Sequence, residues 1–204
     1  LAFAVAAFFW LWLGVGEAAG ASIRHAVFTV TSLLSGTGFV SGDFRQWGGF
    51  TLVALFLLMF VGGCAGSTAC GIKIFRFQIA YQVYRAQIAK LLQPHGMFVP
   101  HYNRQPVTDD VATSVMGFFF LFAFTFAGLA LALAAFGLDL VTALSAAATI
   151  LGNVGAAFGP VIGPEGNYHT LPDAAKWLCT FGMLIGRLEV FTVFVLFWGG
   201  FWRT

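Results

Sequence analysis

Charge is scarce in this sequence. Its 204 residues include 10 Lys and Arg, 8 Asp and Glu and 4 His, so charged side chains make up 9%. Soluble domains carry about 25%, which excludes an ordinary soluble enzyme and a charge-solvated disordered tail. The formal net charge of +2 comes without any dense Lys/Arg cluster, which gives no reason to expect a nucleic-acid partner. Cysteine is nearly absent as well. Cys64, Cys70 and Cys179 are odd in number and sit within or beside apolar stretches. That excludes a disulfide scaffold, and a metal site would need more ligands at closer spacing. They read as small packing residues. His25, His95, His101 and His169 show no metal spacing, and no Ser/His/Asp or Cys/His set suggests catalysis. No Met opens the chain and residue 1 already lies in an apolar run, so the start is expected to be missing. What the sequence does have is apolar bulk: 59% hydrophobic residues, 25 Phe, 6 Trp and a mean hydropathy of +0.88. That composition predicts an all-α polytopic membrane protein.

The apolar runs divide into two similar halves. Residues 1–16 are apolar, a turn follows at 17–21, and 22–34 predict a short helix with Ser22 as N-cap. The helix runs into Ser35, Gly36, Thr37, Gly38 and Phe39. A second run covers 47–61, a glycine-rich stretch fills 62–71, and 72–92 continue apolar but with Lys73, Arg76, Arg85 and Lys90 interspersed. Residues 93–110 form a hydrophilic loop. In the second half, 111–138 make a long run, ample for a membrane span. Residues 139–151 predict a second short helix with Asp139 as N-cap, leading into Gly152, Asn153, Val154, Gly155 and Ala156. The last run, 171–202, is interrupted by Arg187 and Glu189. Gly38 and Gly155 fall at matching places. The loop with Lys73, Arg76, Arg85, Lys90 and Arg104 holds half of the Lys and Arg, so the positive-inside rule puts it in the cytoplasm. Both pentapeptides then face outward, beside Glu17, Asp43, Asp139, Glu165 and Asp173. Together those acids would make a cation-gathering vestibule; singly, each reads as a cap facing water.

Three features carry chemistry. A short helix that stops inside a membrane aims its unpaired carbonyls, its negative end, at the interior. A Gly-containing pentapeptide beyond it can turn carbonyls toward one axis, and such carbonyls can replace the water around K+. Each pentapeptide is therefore either one wall of a selectivity filter or an ordinary surface turn. The stretch with Gly62, Gly63, Gly66, Ser67, Thr68 and Gly71 is uncharged yet resists helix. It is either an intramembrane loop or a site of close helix packing. It lacks the Gly-Lys-Ser/Thr order of a nucleotide-binding loop, because Ile72 separates Gly71 from Lys73. Arg187 lies near the middle of the last run, so it either faces inward onto the glycine loop or snorkels outward. Glu189, two positions on, would lie on a different helix face.

Four motifs in order resemble the TrkH/KtrB family of potassium transporters. They are 63–73 (GCAGSTACGIK), Thr37-Gly38-Phe39 followed by Asp43-Phe44, Ala143 to Ala147 leading to Gly152-Asn153-Val154-Gly155, and Gly186-Arg187-Leu188-Glu189. The resemblance covers essentially the whole chain. It implies tandem helix–pore loop–helix repeats like those of K+ channels, four around one pore, of which this chain matches the third (1–92) and fourth (111–204), joined by the loop 93–110. It further implies K+ uptake at the inner membrane. The filter would be Ser35, Gly36, Thr37, Gly38, Phe39 with Gly152, Asn153, Val154, Gly155, Ala156. The gate would be Gly62, Gly63, Gly66, Ser67, Thr68, Gly71 and Arg187. Expected partners are the lipid bilayer, a second copy in a homodimer and a cytosolic nucleotide-binding regulatory subunit of TrkA or KtrA type, with no organic cofactor. Ser35-Gly36 stands where the family often has two Thr, and Ala156-Ala157 where Pro-Gly is common. Two rival readings stay open: a Na+-permeable or Na+-coupled relative, and a non-transporting helical subunit.

Overall fold

A computed structural model describes residues 2–16, 18–64, 66–67, 70–163, 167–188, 190–197 and 202. The chain is helical. Helix α1 (Ala2–Phe9) continues into a π-helical stretch, Trp10–Val15, which ends at a left-handed Gly16. Helix α2 (Ala19–Ser35) follows, then a 3-10 turn at Phe44–Trp47 and helix α3 (Gly49–Met59). Helix α4 is Ile74–Leu92, α5 is Asp109–Ala135, α6 is Leu140–Gly152, α7 is Asp173–Arg187 and α8 is Val190–Phe197. The order α1, α2, α3/α4 is repeated as α5, α6, α7/α8.

Among the described residues α5 alone is long and apolar enough to cross a membrane by itself. Its 27 residues reach about 40 Å at 1.5 Å per residue, more than the roughly 30 Å hydrocarbon core. The other long runs are broken. The run at 47–92 breaks between α3 and α4, where the glycines lie. The run at 171–202 breaks after Arg187, so Arg187 is the last residue of α7 and not the centre of one long helix. Its charge suits that place, because a helix C-terminus is the negative end of the dipole.

Two other expectations change. Ser22 is not an N-cap. The helix starts three residues earlier, and Ser22 is buried inside it with its hydroxyl donating to the Ala18 carbonyl at 3.2 Å. A hydroxyl satisfied by the preceding turn has no need of the cap position. The loop 93–110 is not without structure: strands β1 (His101–Tyr102) and β2 (Gln105–Pro106) pair antiparallel. Asn103 and Arg104 between them both have positive φ, +50° and +65°, the signature of the tight turn that matches strand twist. The hairpin packs on α4.

The core has two clusters that share the second half's short helix. One joins Phe118, Phe122 and Leu133 of α5 to Ala146, Ile150 and Leu151 of α6 and to Ala175 and Cys179 of α7. The other gathers α1, α2 and α3 and takes in Ala148, Val154, Ala156 and Phe158. Helix α6 is thus buried almost all round, as befits a central helix. Helix α2 buries Ala26, Val30 and Leu33 but exposes Ile23, Val27 and Phe28.

Candidate functional site: two helix-end loops and a glycine loop

Both short helices end in the same way. After α2, Gly36 takes left-handed backbone (φ +70°), and the Thr37 amide donates to the Ser32 carbonyl at 3.0 Å. After α6, Asn153 takes left-handed backbone (φ +50°), and the Val154 amide donates to the Thr149 carbonyl at 3.0 Å. Both are Schellman closures, which satisfy carbonyls that a helix end leaves open. Positive φ then recurs two residues later in each loop, at Gly38 (+70°) and Gly155 (+103°). The pairs Ser32/Thr149, Gly36/Asn153, Thr37/Val154 and Gly38/Gly155 keep one constant offset along the chain.

Each helix lends its loop a hydroxyl from the last turn. Ser32 Oγ donates to the Phe39 carbonyl at 2.7 Å. Thr149 Oγ1 accepts the Gly155 amide at 2.7 Å. Ser145 Oγ accepts the Phe158 amide at 3.1 Å, one turn further back. Of these three only Ser145 falls within a motif quoted from the sequence, and there it carries no role of its own. Their signal is a hydroxyl three to ten positions before the glycines of each pentapeptide, visible only once both helices are placed.

The two loops touch. A Cβ on Gly38 would overlap the Val154 carbonyl, and one on Gly36 would lie 3.8 Å from the Asn153 carbonyl oxygen. The segments beyond them also meet: the rings of Phe44 and Phe158 are 5.2 Å apart, edge to face. Gly36 and Gly38 thus meet Asn153, Val154 and Ala156 along one seam at the C-terminal ends of α2 and α6, and Ser35, Thr37, Phe39, Gly152 and Gly155 are their chain neighbours.

The surrounding acids have local partners. Asp43 is held in a two-point pair by Arg45, with both contacts at 2.8 Å. The Arg45 side chain, with its backbone amide, keeps the Asp43 carboxyl below its usual range. Asp139 caps α6, accepting from the Thr142 hydroxyl and from the Thr142 amide at 3.2 Å, and these bonds lower its pKa too. Asp173 pairs with Lys176 at 3.0 Å. Two of these three acids are thus matched by a cation, and the expected vestibule is less negative than a sum of carboxylates suggests. Glu17 and Glu165 lie outside the described residues.

The glycine stretch is a loop with a tied neck. The Gly62 amide donates to Ile72 O at 2.9 Å, the Ile72 amide to Phe60 O at 2.9 Å and the Ile74 amide to Gly63 O at 3.2 Å. A Cβ on Gly62 would overlap the Cys70 carbonyl, so the neck closes only without a side chain there. Phe60 anchors it against Phe122 and Phe126 of α5, at 6.1 and 5.2 Å. Within the loop the Ser67 hydroxyl donates to the Cys64 carbonyl at 2.9 Å. Gly66 is exposed and Gly71 has φ +80°. Thr68 lies outside the described residues, as does Glu189.

Arg187 meets this loop. Its Nη1 donates to Cys70 Sγ at 3.4 Å. Ser67, Cys70, Gly71, Lys73, Gly186 and Arg187 line one cavity of about 380 Å³. The sequence separates Cys70 from Arg187 by more than a hundred residues, so the fold brings the glycine loop and the lone Arg of the last run together. Arg76 is a neighbour that the motifs did not single out; its guanidinium lies 3.8 Å over the Phe118 ring, a cation–π contact that fixes the start of α4 on α5.

Known proteins resemble this chain along nearly its full length. Residues 14–203 match the family model described as the cation transport protein TrkH. The Trk system potassium uptake protein TrkI of Halomonas elongata is 52% identical over 188 residues, covering 92% of this chain and 38% of that protein. TrkG of Escherichia coli, another Trk system potassium uptake protein, is 35% identical and covers 90% of this chain and 37% of its own length. The crystal structure of the potassium transporter TrkH from Vibrio parahaemolyticus superposes with a TM-score of 0.91 at 30% identity, over 99% of this chain and 43% of that one. The chain thus spans about two fifths of the length of these relatives.

Proposed function

The chain belongs to the TrkH family of cation transport proteins, and from that premise we propose that it supplies two walls of a K+-conducting pore and the gate beneath them. The fold is that of a helical membrane transporter. In this reading residues 1–92 and 111–204 are two of four helix–pore loop–helix repeats, and 93–110 face the cytoplasm. Ser35 to Phe39 and Gly152 to Ala156 offer main-chain oxygens to a dehydrated K+. The negative ends of α2 and α6 add a favourable field for a cation. Selectivity comes from neutral carbonyl dipoles and not from a carboxylate.

The observation that carries this reading is the seam. Two helix ends with matching hydrogen bonds and matching positive-φ positions meet at Gly38 and the Val154 carbonyl. A surface turn has no reason to repeat that geometry or to press one copy against the other. Below the seam, Gly62, Gly63, Gly66, Ser67, Thr68 and Gly71 form a gate loop, and Arg187 controls it through the Cys70 contact. The proposed setting is the inner membrane, in a homodimer bound on its cytosolic side by a nucleotide-binding regulatory subunit of TrkA or KtrA type.

Complementation tests it directly. The full-length gene should restore growth of a K+-uptake-deficient strain at low K+, and purified protein in liposomes should pass K+ or Rb+ in preference to Na+. Equal flux of both ions would favour a Na+-permeable relative, since Ser35 and Gly36 loosen one wall. No flux of either ion would reject the pore.

A further inference from the structure

Position 153 differs from its counterpart in a telling way. Gly36 and Asn153 do the same backbone job, each capping a short helix in left-handed conformation. Glycine does that job without steric cost; Asn only tolerates it. What Asn adds is an amide, and its Nδ2 donates to the Met183 carbonyl of α7 at 3.0 Å. Helical register directs the backbone amide of Arg187 to that same carbonyl, four residues back. The bond therefore joins the proposed filter wall to the turn of α7 that carries Arg187.

Packing tightens the joint from both sides. Gly186 is pressed so closely on the end of α6 that a Cβ there would overlap the Leu151 carbonyl and lie 2.8 Å from Asn153 Nδ2. On the opposite side a Cβ on Gly152 would lie 2.9 Å from the Met59 carbonyl. Met59 ends α3, and the next residue, Phe60, accepts the amide bond that closes the glycine loop. The end of α6 is clamped between the element that begins the gate loop and the element that presents Arg187 to it. Close-packed joints of this kind move as a unit.

We propose that Asn153 is a positioning residue that couples the two sites. Through Met183 it ties the fourth filter wall to the Arg187–Cys70 contact, so ion occupancy above and the seating of Arg187 on the gate loop change together. This rests on the filter and gate reading given above. It predicts an effect that a purely structural Asn would not produce: K+ bound in the filter is felt at Cys70.

The test uses the full-length protein carrying Cys64→Ser, with maleimide labelling of Cys70 followed on its peptide by mass spectrometry, in K+ and in choline. K+ should slow labelling about tenfold, within the usual range of coupling between sites. In Asn153→Gly, which keeps the left-handed backbone and removes the amide, that ratio should fall below about twofold at a K+ concentration that saturates the variant's own Tm rise. Asn153→Asp has the same shape without the donor and must lose the ratio too; it decides the matter if the glycine variant does not fold. A full K+ effect on Cys70 in either variant overturns the coupling. So does a wild-type protein whose Tm rises with K+ while its Cys70 rate does not change. A wild-type Tm indifferent to K+ overturns the filter itself, and the coupling with it.

Discussion

Thr149 and Ser32 hold the two loops without belonging to either. Thr149 is buried, and its Oγ1 is the acceptor for the Gly155 amide. Thr149→Val keeps the volume but removes that acceptor, and because Gly155 is exposed its amide can turn to other partners, so the lost bond costs about 0.5–1.5 kcal/mol. The loss falls on the loop, so K+-dependent stabilisation should weaken more than the Tm in K+-free buffer; melting curves in both buffers check this. Gly38 is constrained twice, by φ +70° and by the Val154 carbonyl where a Cβ would sit. Gly38→Ala should therefore displace an oxygen of the opposite wall and lower the K+/Na+ flux ratio at least about tenfold, worth roughly 1.4 kcal/mol of discrimination. An unchanged ratio would remove Gly38 from the filter. The glycines themselves were legible in the sequence, because glycine in a short polar segment between apolar runs has few other uses. The hydroxyls were not. Ser and Thr are common on apolar helices, and only the Schellman closure shows which of them reaches the loop.

At the scale of elements, sequence and structure agree where a local signal was strong. Asp139 before an apolar helix is a recognised cap, and it caps α6. The run of glycines predicts a break, and α3 and α4 are separated there. Agreement fails where a signal was shared or weak. Ser22 had the right chemistry for a cap, but α2 begins earlier and uses it internally. The Asn103–Arg104 turn lacks the glycine that usually marks a hairpin. Arg187 looked central because hydropathy does not register a helix end; Leu188 closes α7 through its amide to Leu184 O at 3.1 Å. The cap at Asp139 makes a pH prediction. Its carboxyl pKa is lowered in the folded protein by Thr142. A lowered pKa contributes stability that is present above the ordinary carboxylate range and is lost as pH falls through it. Asp139→Ala should cost about 1 kcal/mol at neutral pH, and the gap in Tm between variant and wild type should close on acidification. A gap that stays constant down to the acid range would mean that the carboxylate does not carry the cap.

For the whole molecule, the informative contrast is between α2 and α6, two helices proposed to play one role. Helix α6 is enclosed by α3, α5 and α7, with residues 145–152 all buried. Helix α2 packs on α1 and α3 and leaves an apolar face open, with Ile23 at 51% exposure. A four-walled pore would bring further walls against that face, whereas lipid would cover the outer side of α5, where Leu131 is 73% exposed. The two kinds of apolar exposure differ in what truncation costs. Against protein, losing a branched side chain leaves a cavity and costs about 2–5 kcal/mol. Against lipid, acyl chains flow into the gap and the cost is small, because lipid tails are as apolar as the side chain they replace. In full-length protein Ile23→Ala should therefore lower Tm by several degrees, while Leu131→Ala should leave it nearly unchanged. Equal, small effects would mean that lipid covers both faces, and α2 would then lie at the periphery and not beside a central pore.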